Sequence, residues 1–293
     1  MLKIQNEHLT VEVSLQGAEL MSIRAADGLE YLWQGDPTYW SGRAPIMFPW
    51  VGRLLNSRYC YRGKIYEMGI HGFARKQPFV CTAQSSDAIT LTLEANPETK
   101  QQYPFDFRFS VTYTLREKTL EVTFAATNTG SNTMYFAWGG HPGFNVPLVE
   151  GETMDDYCLT FSDPCYPECA LFSATNVLVD GAKRFYLEND QQLQLSHELF
   201  DNDAIFLKHM AKSVTMKSRK SGRGVQLSYP DMAHLGLWHM PKTDAPYVCI
   251  EPWSSLPGRE GIEEDLSCRS DLLTATPGET RQTTWTIRID PEA

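Results

Sequence analysis

Residues 109–124 read FSVTYTLREKTLEVTF. Apolar side chains take every second position in both halves of this stretch: Phe109, Val111, Tyr113 and Leu115, then Leu120, Val122 and Phe124. This alternation is typical of β-strands with one face buried and the other exposed. Glu117 and Lys118 separate the two halves, and the stretch therefore predicts an antiparallel hairpin.

The same alternation recurs along the chain and predicts a protein built almost entirely from strands. Further examples run over residues 9–15, 89–93 and 285–289, and Pro277-Gly278 marks a turn before the last of them. No helical pattern exceeds about three turns, and strands do not alternate with helices as they do in parallel α/β sheets. The sequence therefore predicts an all-β fold, a large antiparallel β-sandwich, as a single domain over residues 1–293.

The charge of the chain argues against two classes of partner. The chain has 293 residues, of which 21% are charged, and its formal net charge is −10. A charge of this sign disfavours nucleic acid and anionic membrane surfaces, whereas a small ligand can still bind in a local basic pocket. The charge itself says little about a small ligand, and the oligomeric state stays open.

The N-terminus and the cysteines predict a cytoplasmic location. The first ten residues, MLKIQNEHLT, lack the long apolar core of a signal peptide. No apolar run approaches the roughly 20 residues of a membrane span. The seven cysteines are scattered without a disulfide framework, so we expect reduced thiols.

Three segments interrupt the strand pattern and carry side chains that are useful in chemistry. They read APIMFPWVGRLLN (44–56), GIHGFARKQPF (69–79) and CIEPWSSLPGREG (249–261). The two prolines of the first segment argue against a central strand. Functional residues often lie on such loops and strand ends above a rigid scaffold.

A fourth segment, AWGGHPGFNV (137–146), holds His141 between glycines and Pro142. A residue before proline is driven towards an extended backbone, and the preceding Gly-Gly allows a sharp bend or a close approach to a ligand. We expect His141 at a strand end with a constrained side chain, either packed in a turn or used in catalysis.

Glu251 stands in a similar setting, after the apolar run Tyr247-Val248-Cys249-Ile250 and before Pro252. We expect it at the end of an apolar strand. It is there either a surface carboxylate or a partly desolvated group whose pKa is raised towards neutrality.

A histidine and a glutamate together suit the opening of a sugar hemiacetal. A base removes the proton of the anomeric hydroxyl, and an acid protonates the ring oxygen as its bond to carbon breaks. Reference pKa values of about 6.5 and 4.3 let one group be protonated and the other ionised near neutrality. Neither a metal nor a redox cofactor is needed, and we predict none.

Six short motifs follow one another along the chain: FPWVGRLLN (48–56), IHGFAR (70–75), GGHPGFNVPL (139–148), LFDNDAIF (199–206), IEPW (250–253) and TPGE (276–279). Each motif is weak alone, but in this order they resemble the aldose 1-epimerase (mutarotase) family, most closely its LacX-like branch. The resemblance implies a β-supersandwich and an isomerase that interconverts the α and β anomers of a free aldose.

The resemblance also implies roles for individual residues. His141 resembles the general acid at the ring oxygen, and Glu251 resembles the general base at the anomeric hydroxyl. His71 resembles a second histidine that hydrogen-bonds the substrate, Arg53 resembles the arginine of the first loop, and Asp203 resembles an acceptor for a substrate hydroxyl.

Three further residues lie close to these motifs. We expect Trp138 and Trp253 to stack on a face of the sugar. Arg75 ends the HGFAR motif, which also occurs in the branch that resembles hexose-6-phosphate epimerases, and its guanidinium suits either a phosphate or a structural ion pair. We favour a neutral sugar, with Arg75 ordering the loop that holds His71.

Two other functions stay open. Glycoside hydrolysis usually needs two carboxylates about 5–10 Å apart, which Asp203 and Glu251 can supply in principle. A sugar-binding protein without catalytic activity can use the same fold. For an epimerase, we expect His141 and Glu251 to face one cleft with room for a pyranose between them.

Overall fold

Strands make up nearly all of the regular structure in a computed structural model that describes residues 1–291. The 25 strands within these residues are β1 (Leu2–Gln5), β2 (Leu9–Val13), β3 (Leu20–Ala25), β4 (Ile46–Met47), β5 (Arg58–Tyr61), β6 (Lys64–Glu67), β7 (Val80–Gln84), β8 (Ala88–Glu94), β9 (Phe107–Arg116), β10 (Thr119–Asn128), β11 (Met134–Phe136), β12 (Gly139–Gly140), β13 (Gly143–Asn145), β14 (Tyr157–Phe161), β15 (Glu168–Phe172), β16 (Leu178–Arg184), β17 (Gln192–Gln194), β18 (Ile205–Lys208), β19 (Ser213–Ser218), β20 (Gly224–Ser228), β21 (His234–Trp238), β22 (Tyr247–Trp253), β23 (Glu264–Asp265), β24 (Leu273–Ala275) and β25 (Thr280–Ile289). The helices within the same residues are α1 (Pro97–Gln102) and the 3-10 helices Leu55–Ser57, Ala74–Lys76, Met154–Asp156 and His197–Phe200.

The hairpin predicted from residues 109–124 is confirmed. Strand β9 pairs antiparallel with β10, and Arg116 faces Thr119 across the turn. Glu117 adopts a φ of 50° within that turn. Burial alternates along both strands, because successive side chains of a strand point to opposite faces of the sheet.

Two large sheets form the body of the fold. One has nine strands in the order β17-β14-β19-β20-β25-β10-β9-β8-β7. The other follows β16-β15-β18-β21-β22-β12-β4, with β13 also paired to β22. Within residues 1–291 the strand pairs are antiparallel except for β5 with β23. The predicted large antiparallel β-sandwich is confirmed.

The core lies where the inner faces of the two large sheets meet. Phe48, which follows β4, stacks on Phe109 of β9 with ring centroids 4.1 Å apart. Gly140 of β12 lies against Trp285 of β25, and a Cβ atom on Gly140 would come within 2.5 Å of the indole. Gly140, directly before His141, therefore allows close packing between the sheets.

Strand β22 continues through Glu251 and Pro252, so our expectation that it ends at Glu251 is wrong. One edge of β22 pairs with β21, and the other edge pairs with β13 and β12. His141 and Pro142 lie between β12 and β13 and interrupt the pairing on this second edge. Ile250 donates its N–H to the carbonyl of Pro142 on this second edge. The nitrogen of Pro252 lies on the same edge because a strand has a period of two. Proline is tolerated there because the ladder is already interrupted.

The seven cysteines all lie within the described residues and are free, as expected. None of the helices among residues 1–291 is long and apolar enough to cross a membrane. The cytoplasmic location stays a prediction.

Candidate active site

A cavity of about 400 Å³ opens beside strand β22. Ligand pockets in proteins commonly have volumes of this order. Seven of the eight site residues predicted from the sequence line it: Arg53, His71, Arg75, His141, Asp203, Glu251 and Trp253. They come from separate stretches of the chain, so the tertiary fold brings them together.

Trp138 is the exception, and the expectation that it stacks on a sugar is wrong. Its side chain is buried among the core aromatics, where it packs against Phe124 at 6.1 Å and Phe136 at 5.1 Å between ring centroids. Trp138 precedes the two glycines of β12, and its side chain points between the sheets, so it does not reach the cavity.

His141 and Glu251 meet at the break between β12 and β13. The imidazole Nε2 lies 3.3 Å from Oε1 of the carboxyl group, and the two side chains are only 11% and 4% exposed. They face one cavity, as expected. The expected space for a pyranose between them is absent, because the two groups are in direct contact. A sugar can therefore touch both groups only by lying against the pair.

The second oxygen of Glu251 is held from its own strand. The indole Nε1 of Trp253 donates to Oε2 of Glu251 at 3.1 Å, since residues two apart on a strand share a face. Gly236 faces Glu251 from β21, and a Cβ atom there would come within 3.3 Å of the Cβ of Glu251. The carboxyl group is therefore fixed by one hydrogen bond and by a closely fitting neighbour.

Burial controls where the pair keeps its proton. It raises the pKa of Glu251 to about 8, against a weaker opposing effect of the Trp253 hydrogen bond. It also lowers the pKa of His141 to about 3. A low-dielectric site disfavours charged forms, so the resting pair is a neutral imidazole and a protonated carboxyl group.

His71 is held in one tautomer by the backbone of the preceding loop. The N–H of Gly52 donates to Nδ1 of His71 at 3.1 Å, and the N–H of His71 donates to the carbonyl of Gly52 at 3.0 Å. Burial lowers the pKa of His71 well below its usual range, and the neighbouring His141, Arg75 and Arg53 act in the same direction. Since Nδ1 is an acceptor, the neutral ring carries its proton on Nε2.

A buried ionic network supports that loop from behind. Arg269 donates to the carbonyl oxygen of Pro257 at 3.0 Å and is paired with Glu264 and Asp271. Pro257 in turn packs so tightly on Gly52 that a Cβ atom on Gly52 would lie 2.5 Å from its ring. The position of Gly52, and hence the tautomer of His71, depends on this packing.

Two guanidinium groups line the cavity. Arg53 is exposed, whereas Arg75 is partly buried and its Nε has no hydrogen-bond partner among residues 1–291. Burial lowers the pKa of Arg75, and the charge of Arg53 acts in the same direction against that of Glu19. The structural ion pair considered for Arg75 has no support in these contacts.

Asp203 lies at the cavity with both carboxylate oxygens engaged. Trp238 donates its indole N–H to Oδ1 at 3.0 Å, and Asn176 donates its amide to Oδ2 at 3.1 Å. The backbone of Asp203 is left-handed, with a φ of 76°. This conformation is uncommon for residues other than glycine and is better tolerated by aspartate and asparagine.

Among the lining residues that the sequence reasoning missed are Trp40, Asn176 and Trp238. Tryptophans outside the six motifs are more often core residues. However, the ring centroids of Trp40 and Trp238 lie 5.0 and 5.9 Å, respectively, from that of His141. The alternation along β21 places Trp238 on the same face as Gly236, but only the pairing of β21 with β22 shows which face that is. Trp40 and Asn176 lie in loops without any local signal.

One group of side chains has the residue types of a metal site. His141, Cys249 and Glu251 have potential ligand atoms within 4.8 Å of one another. Burial raises the pKa of the Cys249 thiol well above its usual range, and the charge of Glu251 acts in the same direction. Because the thiolate is the form that binds metals, we assign no metal to this group.

Comparison with known proteins agrees with this geometry. The family model described as aldose 1-epimerase matches residues 1–265. The chain belongs to the aldose 1-epimerase family. The LacX protein encoded on the chromosome of Lactococcus lactis subsp. lactis is 37% identical over 98% of this chain and 99% of its own length.

Two further proteins are similar to this chain. A galactose mutarotase related enzyme from Lactobacillus acidophilus has a solved structure that superposes with a TM-score of 0.93. It is 34% identical and covers 98% of this chain and 96% of its own. A putative glucose-6-phosphate 1-epimerase of Escherichia coli K12 is 25% identical over 86% of this chain and 82% of its own length. The predicted LacX-like resemblance is confirmed.

The raised pKa of Glu251 predicts a stability cost in this epimerase-family chain. Between the ordinary glutamate pKa of 4.5 and the raised pKa of about 8, the folded state holds a proton that the unfolded state has released, so stability falls as pH rises through this window. Glu251→Gln cannot ionise. Because one pKa unit corresponds to about 1.4 kcal/mol, we expect the unfolding free energy of the variant to increase relative to that of the wild type by several kcal/mol between pH 4.5 and pH 8.

Urea unfolding of both proteins at pH 4.5, 6 and 8 measures this difference. The exposed Glu260→Gln is the matched control and should show no such growth with pH. A difference between Glu251→Gln and the wild type that stays constant from pH 4.5 to 8 would show that Glu251 is not a buried acid with a raised pKa.

Proposed function

We propose that this chain is an aldose 1-epimerase that interconverts the α and β anomers of a free aldose. The observation that carries the proposal is the contact between His141 and Glu251 in a cavity of sugar-binding size. Membership of the epimerase family supports it. One main buried cluster extends from Ile4 to Ile289, which supports our proposal that residues 1–293 form one domain.

A contacting acid–base pair suits a hemiacetal for a simple geometric reason. The anomeric hydroxyl oxygen and the ring oxygen are bonded to the same carbon, so they lie close together. Two catalytic atoms 3.3 Å apart can therefore reach both oxygens from one side. Glycosidases place their two carboxylates about 5–10 Å apart across the bond that they cleave.

In the proposed reaction, Glu251 accepts the proton of the anomeric hydroxyl while His141 protonates the ring oxygen. The bond between the ring oxygen and C1 breaks as the C1 carbonyl forms. The open aldehyde rotates about C1–C2, and closure on the other face reverses both proton transfers. The pair holds one proton at each stage. The resting form, with this proton on Glu251, becomes the reactive form by transfer along the Oε1–Nε2 contact.

Other residues of the cavity are proposed to bind the sugar. His71 offers an Nε2–H donor, and Arg53 offers a guanidinium. Asp203 is a hydroxyl acceptor. Trp253 anchors Glu251 by its indole N–H, and Trp40 and Trp238 supply aromatic walls for the apolar face of a pyranose.

We expect His141→Ala and Glu251→Gln each to lower anomer exchange at least about 100-fold, because a general acid or base typically contributes about 10²–10⁴-fold. Sugar binding should persist, since other residues contact the hydroxyl groups. Polarimetry on freshly dissolved α-glucose and α-galactose measures the rate, and calorimetry measures the binding. His8→Ala and Glu260→Gln, which lie outside the cavity, are the matched controls.

Two outcomes would contradict this function. A wild-type protein that binds aldoses but does not accelerate their mutarotation would be a sugar-binding protein. Release of reducing ends from glycosides would instead indicate hydrolysis by Asp203 and Glu251.

The pH profile should show one proton on the pair. Below a pH equal to the His141 pKa of about 3, the pair gains a second proton, on His141. Above a pH equal to the Glu251 pKa of about 8, the pair loses its proton from Glu251. We therefore expect a bell for kcat/KM with a broad maximum between these values, after subtraction of the uncatalysed rate. A rate that stays constant through pH 9 would reject the pair as the proton carrier.

An anionic aldose is a second candidate substrate, favoured by the unpartnered Nε of Arg75 beside Arg53. A partly buried guanidinium whose Nε has no hydrogen-bond partner among residues 1–291 suits a phosphate, which accepts two parallel hydrogen bonds from it. The Escherichia coli relative is named as a putative glucose-6-phosphate 1-epimerase. The net charge of −10 acts against this candidate, and the LacX relatives are more similar to this chain.

The second candidate predicts faster anomer exchange on glucose 6-phosphate than on glucose. The preference should fall with salt, since screening weakens charge attraction, and it should vanish in Arg75→Gln. Exchange NMR on both sugars at low and high salt measures it, with the surface variant Arg58→Gln as control. Equal rates on the two sugars at both salt concentrations would reject the candidate and leave the neutral sugar.

A further inference from the structure

The turn between β15 and β16 brings an asparagine to the cavity. Asn176 adopts a left-handed φ of 57°, and its N–H donates to the carbonyl of Ser173 at 3.0 Å. Its side chain lines the same cavity as His141 and Glu251. Neither the motifs nor the family resemblance gave this residue a role.

Asn176 hydrogen-bonds to Asp203, the residue expected to accept a hydrogen bond from a sugar hydroxyl. Its amide Nδ2 donates to Oδ2 of Asp203 at 3.1 Å, while Trp238 donates to Oδ1 of the same carboxylate at 3.0 Å. Both partners of Asp203 are neutral groups, so neither of them forms an ion pair with the carboxylate. The charge of Asp203 is one of the causes that raise the pKa of Glu251, so Asp203 lies near the proposed reacting pair.

The two side chains complement each other in hydrogen bonding. An ionised Asp203 can only accept, whereas the amide of Asn176 has a second N–H donor and an acceptor oxygen. A sugar hydroxyl both donates and accepts. One hydroxyl can therefore donate to Asp203 while accepting from Asn176, and its neighbour on the ring can donate to Oδ1 of Asn176.

The turn alone does not account for this arrangement. Asparagine tolerates a left-handed backbone, but glycine does so at least as well. The turn conformation also leaves the direction of the amide undetermined. In the structure the amide points to Asp203 and the side chain faces the cavity, and both features are those of a ligand contact.

We propose that Asn176 is a specificity-determining residue which, with Asp203, recognises two adjacent hydroxyl groups of the aldose. The inference rests on the proposed function, since it assigns the sugar-binding role to the same cavity. Loss of either hydroxyl, or inversion of one, removes its hydrogen bond to the exposed amide of Asn176 or to the half-buried carboxylate of Asp203. Such a loss typically weakens binding roughly 5- to 100-fold.

The test compares the wild type with Asn176→Gly and Asn176→Asp. Glycine keeps the left-handed turn and removes the amide, whereas aspartate keeps the shape and places a second negative charge beside Asp203. Thr175→Ala is the matched control, because Thr175 lies in the same turn and hydrogen-bonds only to Ser173 among residues 1–291. Thermal unfolding checks that each variant is folded.

Dissociation constants are measured by tryptophan fluorescence or calorimetry for glucose, galactose, mannose and the 2-, 3- and 4-deoxy glucoses. We expect the wild type to bind one or two adjacent deoxy sugars roughly 5- to 100-fold more weakly than glucose. The affinity of Asn176→Gly for glucose should fall to about that of the wild type for those deoxy sugars. The affinity of this variant for the same deoxy sugars should differ little from that of the wild type. Asn176→Asp should also bind weakly, and Thr175→Ala should match the wild type.

Three results would overturn the inference. In the first, Asn176→Gly retains the wild-type affinity for every sugar. In the second, it loses affinity equally for glucose and for all the deoxy sugars, which indicates a role in the turn alone. In both cases anomer exchange by the wild type would leave the proposed function standing. In the third, the wild type binds no aldose at all, and the inference and the proposed function fail together.

Discussion

The contact between His141 and Glu251 depends on the interruption of a strand next to β22. Strands β12 and β13 pair with the two ends of β22, and the chain between them leaves the ladder at His141 and Pro142. The same break removes the need for an N–H at Pro252. A single interruption therefore places the imidazole of His141 against the carboxyl group of Glu251 on β22, beside the cavity.

Burying this pair has an electrostatic consequence. Both side chains are nearly enclosed, and a neutral pair is the form that such a site favours. An ionised pair must then be stabilised by what enters the cavity, because the surrounding protein offers Glu251 only one donor among residues 1–291 besides His141, the indole of Trp253. The proposed substrate, with a hydroxyl and a ring oxygen on one carbon, supplies polar groups at both members of the pair.

The rest of the cavity divides into a rigid wall and a polar rim. The wall contains His71, whose tautomer is held by Gly52, and the loop under Gly52 is held by the ion pairs of Arg269. The rim contains Asp203 and Asn176, which come from a loop and a turn with left-handed backbones. A rigid wall suits proton transfer at fixed atoms, whereas loops can differ between related proteins and so change which sugar fits.

The sequence by itself determined what depends on neighbouring residues. Alternation with a period of two marks the strands, and glycine and proline mark His141 and Glu251, because both signals are local. Seven of the eight predicted site residues line the cavity, and all seven lie in the six motifs. Only the tertiary structure decided which tryptophans face that cavity, that Asn176 joins it, and that the proton of the pair resides on Glu251. These properties depend on strand pairing and burial between segments far apart in the chain, and a local sequence pattern carries no information about either.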